Sequence, residues 1–199
     1  MLIIGLELGY LVKYYHSKTI LCYIIKWVRG GNILKDVIKS NLDIVFCGTA
    51  AGNKSAQVGF YYASPNNKFW SAIHQVGLTP LQLKPNQYMD LLKFNLGLTD
   101  LVKEESGNDR ELNEDAYDLA RFEELIEINQ PKYVCFNGKE AAKVYLGRKK
   151  VAYGLQKELI NNTRLFVAPS TSGAASKYWD IKWWQRLVEI LNKEHKKYS

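Results

Sequence analysis

The sequence predicts an α/β fold of three layers, with a central, mostly parallel sheet covered by helices on both faces. Short continuous apolar runs at 44–47, 133–136 and 165–168 have the character of strands buried on both sides. Between and after them, apolar residues recur at helical spacing. Alternation of the two patterns along one chain is what a parallel sheet with crossover helices produces.

The elements follow in order. Residues 1–32 precede the regular pattern and contain apolar stretches at 2–4, 11–12 and 20–28, interrupted by Glu7, Lys13, Lys18 and Lys26. A spanning helix needs about 20 mostly apolar residues, and a secretory signal needs a basic start and a small-residue cleavage site. Neither pattern is met, so 1–32 reads as an N-terminal extension, packed on the domain or poorly ordered, and 33–199 as the α/β domain. No membrane segment is expected, and the cytoplasm is the expected location.

The first core strand, Ile44-Val45-Phe46-Cys47, ends at Gly48. A loop leads to a helix predicted over 67–76, with Trp70, Ile73 and Gly77 at helical spacing, and Tyr88, Leu91 and Leu92 mark a second short helix. A strand is expected at 98–102. Leu119, Phe122, Leu125 and Ile126 share one face of a helix that Pro131 stops. The strand at 133–136 is followed by a helix opened by Gly138 and running through Tyr145, then by the strand at 165–168 and a loop over 169–179. Asp180 is a plausible N-cap for a last helix whose stripe is Ile181, Trp184, Leu187, Val188 and Leu191.

Length and composition bound the function. With 199 residues, 47% hydrophobic and 24% charged, the chain fits one globular domain. A formal charge of +7 favours a polyanionic partner, although lysine-rich proteins reach this balance without one. Cys22, Cys47 and Cys135 are widely spaced and show no zinc or iron–sulfur pattern, so they read as reduced structural thiols and the chemistry as free of metal and cofactor.

In parallel sheets ligands sit beyond the carboxyl ends of the strands. That places chemistry in the loops after Cys47, after Leu98-Thr99, after Phe136 and after Ala168. The first reads Gly48-Thr49-Ala50-Ala51-Gly52, small enough for backbone N–H groups to approach a ligand, although such loops are also plain tight turns.

The continuation is more specific: Ser55-Ala56, then Gly59-Phe60-Tyr61-Tyr62-Ala63-Ser64-Pro65-Asn66-Asn67-Lys68-Phe69-Trp70, then Gly97-Leu98-Thr99-Asp100-Leu101-Val102. Phe136-Asn137-Gly138-Lys139 and Pro169-Ser170-Thr171-Ser172-Gly173 complete the set. In order and spacing these blocks resemble the uracil-DNA glycosylase superfamily, particularly its mismatch-specific and thymine-DNA glycosylase branch, over roughly residues 42–192.

The resemblance implies a uracil-DNA glycosylase-like fold and a monomer that flips uracil or another deaminated base out of DNA and hydrolyses its bond to the sugar. It implies a base pocket formed by main chain around Thr49 and Ala50 and from Gly59 to Tyr62, with the Tyr62 ring stacked on the base and Asn137 bracing the loops. Phe69 and Trp70 read as core. Phosphate contacts are expected from Ser55, Lys68, Ser170, Ser172 and the backbone of Gly173, with Lys54 and Lys177 adding charge. No role is expected for His16, His74 or His195.

Two departures from the relatives shape the mechanism. Ala50 stands where mismatch-specific relatives carry an asparagine that positions the attacking water, and the last motif has neither that branch's asparagine nor the histidine of others. Asp100 becomes the candidate catalytic carboxylate, able to accept from the base N3–H, orient water or stabilise a cationic sugar. As a bare residue it also fits an exposed loop carboxylate or a helix cap. The wedge position after Gly173 holds Ala174, a poor plug for a vacated base stack, with Tyr178 as a nearby substitute.

Overall fold

The structure is a computed structural model, which describes residues 33–197. Expectations for the extension 1–32, Cys22 and His16 among them, lie outside the described residues.

The sheet has five strands: β1 (Ile44–Gly48), β2 (Leu96–Asp100), β3 (Tyr133–Asn137), β4 (Gly154–Ile160) and β5 (Thr163–Ala168), in the spatial order β2-β1-β3-β5-β4. Pairs β1–β2, β1–β3 and β3–β5 are parallel, and β4 closes one edge antiparallel to β5. The helices are α1 (Asn53–Val58), α2 (Phe69–Gln75), α3 (Leu119–Asn129), α4 (Lys139–Leu146) and α5 (Ile181–Lys197). A 3₁₀ helix occupies Pro85–Phe94 and another Gly173–Tyr178.

Period-two alternation of strand side chains creates two cores. Ile44, Phe46, Tyr133, Cys135 and Phe166 pack on one face with Phe69 and Ile73 of α2 and Trp184, Leu187 and Leu191 of α5. Val45, Cys47, Val134, Phe136, Leu165 and Val167 pack on the other with Phe122 and Ile126 of α3 and Ala141 and Ala142 of α4. Both faces of each central strand are apolar because both are covered, which is the three-layer arrangement the continuous apolar runs predict.

Differences from the sequence expectation are local. The second strand covers Leu96–Asp100 rather than 98–102, so Leu101 and Val102 already belong to the following loop; their N–H groups bond Gly48 O (3.1 Å) and Thr49 O (2.8 Å). The helix around Leu91 is 3₁₀, with Pro85 in its first turn. Asp180 accepts from Lys182 N–H at the start of α5 (3.0 Å), and α3 ends at Gln130 in the left-handed region, directly before Pro131.

Strand β4 and helix α1 have no counterpart in the sequence expectation. β4 is an edge strand whose exposed Leu155, Lys157 and Leu159 alternate with partly buried Gln156 and Glu158, so its apolar residues mark no buried face. Its signal lies in the turn: Ile160 pairs with Thr163 across Asn161-Asn162, and Asn161 has φ +51°, as a tight two-residue hairpin requires. α1 buries only Ser55 and therefore carries no apolar stripe.

Candidate active site

The parallel strands β1, β2, β3 and β5 end together, and the residues after them converge. Gly48 lies beside Asp100 in the sheet register, and Asn137 beside Ala168. The Asn137 amide ties β3 to the loop after β5, its Oδ1 accepting from Thr171 N–H (2.9 Å) and its Nδ2 donating to Thr171 Oγ1 (2.9 Å). Gly138, at φ +125°, brings its backbone against Ser170, whose Cβ would lie 3.1 Å from an added methyl.

Asp100 is the deepest titratable group of this cluster, with 2% of its surface exposed. It is neither an exposed loop carboxylate nor a helix cap. A Cβ on Gly48 would collide with Asp100 Oδ1, so glycine there is what lets the carboxyl lie against the backbone of β1. Burial raises its pKa to about 6; Lys103, Arg121 and a backbone hydrogen bond from Gly48 oppose the rise, and Asp36 adds to it.

Tyr62 reaches the same point from the loop after α1. Its backbone is left-handed, φ +52°, a conformation rare for a bulky residue and usually found where the surroundings fix it. The ring is stacked on Phe69, centroids 4.0 Å apart, leaving the residue half-buried while Tyr61, Phe69 and Trp70 are core. Its buried hydroxyl lies over Gly48 without a hydrogen bond of normal geometry. Burial and then the Asp100 charge push its pKa well up, and neighbouring Asn137 offsets this in part.

A charged network that sequence reasoning did not find backs the site. Asp36 pairs with buried Lys103 (2.9 Å) and with Arg121 of α3 (3.0 Å) and accepts from Thr99 Oγ1 (2.7 Å). Lys103 also donates to Tyr61 OH (3.0 Å), and Arg121 Nη2 donates to the Asp100 carbonyl (2.6 Å). Removing one member would leave an uncompensated buried charge. Nothing local marks Asp36, Lys103 and Arg121 as partners, because they come from three separate segments.

The remaining candidates divide by position. Thr49 and Ala50 are half-buried at the end of β1, and Gly59 is exposed at φ +77°, capping α1 through its N–H to Ser55 O (2.9 Å). Ser55 is buried, and its hydroxyl accepts from Ala63 N–H (3.1 Å), anchoring the loop that carries Tyr62. His74 is a surface residue with Nδ1 against Thr79 O (3.1 Å).

Lys68 and Gly173 line an open groove of about 520 Å³, together with Pro65, Asn66, Ser71 and Ser176. Its walls are tied by Lys68 N–H to Thr171 O (2.9 Å) and by the approach of Asn66 to Gly173, where an added Cβ would stand 2.9 Å from Asn66 Cβ. Ser170 and Ser172 precede Gly173 in the loop after β5, the Ser172 N–H pointing to Ser170 Oγ (3.3 Å). Tyr178, at the end of the following 3₁₀ helix, is 61% exposed. Among the described residues no cluster of side chains fit to hold a metal ion occurs, and no helix is long and apolar enough to cross a membrane.

Comparison with known proteins bears on the family and on the fold. Residues 35–191 match the family model of the uracil DNA glycosylase superfamily. The solution NMR structure of a candidate uracil DNA glycosylase from Methanosarcina acetivorans superposes with a TM-score of 0.56 at 22% identity, covering 81% of this chain and 97% of the other; at that identity the likeness speaks for the fold.

Proposed function

Because the chain belongs to the uracil DNA glycosylase superfamily, we propose that it excises uracil, and with it other deaminated bases, from DNA and so opens base excision repair. The observation that carries this reading is the meeting of Asp100, Gly48 and Tyr62 at the ends of β1 and β2, within the matched residues. A buried carboxylate beside an aromatic ring suits a flipped nucleotide, whose base needs stacking and whose sugar becomes positively charged as the bond to the base breaks.

In this reading main chain around Thr49, Ala50 and Gly59 to Tyr62 surrounds the base and Tyr62 offers it a ring. Asp100, ionised above about pH 6, stabilises the cationic sugar at short range through a low-dielectric interior. Asn137 holds the loop after β5 in register with the pocket. Lys68, Ser170, Ser172 and the Gly173 backbone hold phosphates along the groove. The Tyr-Tyr-Ala-x-Pro-x-Asn-x-Phe-Trp stretch at 61–70 supports placing the protein near the mismatch-specific branch.

The test is a panel of duplex and single-stranded oligonucleotides carrying one uracil, hypoxanthine or mismatched thymine, scored for alkali-cleavable abasic product. Product from the uracil strands is expected, and Asp100→Ala should lower the rate about 100-fold, the scale on which loss of one charge-stabilising group acts. An unchanged rate in that variant would remove Asp100 from the chemistry. Ala50 favours a second reading, a binder of damaged or abasic DNA that no longer hydrolyses it. Tight binding with no product from any strand would establish that reading instead.

A further inference from the structure

The loop that leaves β2 brings a second carboxylate to the end of β1. Val102 N–H bonds Thr49 O (2.8 Å) and Gly107 N–H bonds Ala51 O (3.0 Å), and Ala51 and Ser106 form a parallel bridge, so residues 102–107 lie along the Thr49-Ala50-Ala51 segment. The chain then turns back, held by Asn108 N–H and Nδ2 donating to Glu111 Oε2 (2.8 and 3.2 Å). Asp109 lies inside that turn. As a whole the residue is exposed, yet its carboxyl comes beside the Thr49 hydroxyl.

We propose that Asp109, steadied by Thr49, holds and deprotonates the attacking water, the task for which Ala50 has no side chain. This rests on the glycosylase reading. The water oxygen forms a bond to the sugar C1′ while the C1′–N bond breaks and its electron pair leaves with the base. The water proton passes to the Asp109 carboxylate and from there to solvent, and the base anion takes up a proton from solvent.

The surroundings suit a base. Local shielding of the carboxyl raises its pKa above that of a free aspartate, the Thr49 hydroxyl lowers it in part, Glu140 at the start of α4 raises it and Lys143 lowers it. Tyr117, from the same loop, feels the Asp109 charge in turn. A more basic carboxylate takes a proton from water more readily, provided it is ionised at the working pH. Its exposure leaves it open to solvent.

The experiment uses the full chain and three variants, Asp109→Asn, Asp109→Ala and Asp109→Glu. Single-turnover release of uracil from a duplex is followed between pH 5 and 9. Affinity is measured separately, by fluorescence anisotropy, on a duplex carrying 2′-fluorinated deoxyuridine, which resists hydrolysis. The proposal expects Asp109→Asn and Asp109→Ala to lose about 100-fold in rate with affinity within about twofold, the acid limb left in the Asn variant to be that of Asp100 near pH 6, and Asp109→Glu to recover part of the rate. Wild-type rates in Asp109→Asn would overturn the assignment and leave the glycosylase reading standing. No release by the unaltered protein from any substrate would overturn both.

Discussion

At the residue scale, Asp100 shows how one position is given an unusual charge state. Its carboxyl is buried against Gly48 and below Tyr62, and although Lys103 and Arg121 favour ionisation, burial outweighs them and leaves the pKa at about 6. A carboxyl whose folded value is raised contributes stability that is complete below the unfolded value near 4 and is lost as pH rises through 6. Asp100→Asn, which stays neutral, should therefore gain stability over the parent as pH rises from 4 to 8, by on the order of 2–3 kcal/mol. Urea unfolding of both proteins at the two pH values measures this, and a pH-independent difference would mean that the carboxyl is not shifted.

Gly48→Ala sets a methyl group against Asp100 Oδ1 and should cost about 1–3 kcal/mol, as overpacking does, read from the same urea midpoints. The sequence marked Asp100 and Gly48 through the strand-end rule and a matched motif. It could not show that the carboxyl is buried, because that depends on Tyr62 adopting φ +52° and on Asp36, Lys103 and Arg121 arriving from separate segments. Nor could it show that the Ser55 hydroxyl accepts from Ala63 N–H, a contact made only when the loop after α1 folds back on the helix.

At the scale of elements, the loop after β5 and the start of α2 form one unit. Lys68 N–H to Thr171 O and the Asn137 amide to Thr171 fix it, and the groove between Lys68 and Gly173 follows. If a phosphate lies there, Lys68→Ala should weaken DNA binding about equally for all sequences and reduce the slope of log affinity against log salt by about 1. Anisotropy titrations from 50 to 200 mM salt measure the slope, and a slope identical to that of the parent would place the strand elsewhere. The inner strands β1, β3 and β5 were legible because each carries an unbroken apolar run. β4 was not, since an edge strand has a solvated side and its residues alternate without a dominant buried face.

For the whole molecule, the +7 charge and the family point to the same polyanionic partner, while the fold brings the carboxyl ends of four parallel strands together. Fold class was readable from periodicity because covering both faces of a sheet forces its strands to be apolar throughout. The source of the attacking water was not readable: Ala50 shows only that the usual group is missing, and Asp109 becomes a candidate only once residues 102–107 are seen lying along Thr49 to Ala51.

The central claim is that this pocket turns over. The most direct measurement is a time course of uracil release from a single-uracil duplex held in tenfold molar excess over the purified protein. Abasic product accumulating to several equivalents per protein molecule is the predicted result. Tight binding of that duplex with no released uracil would contradict it.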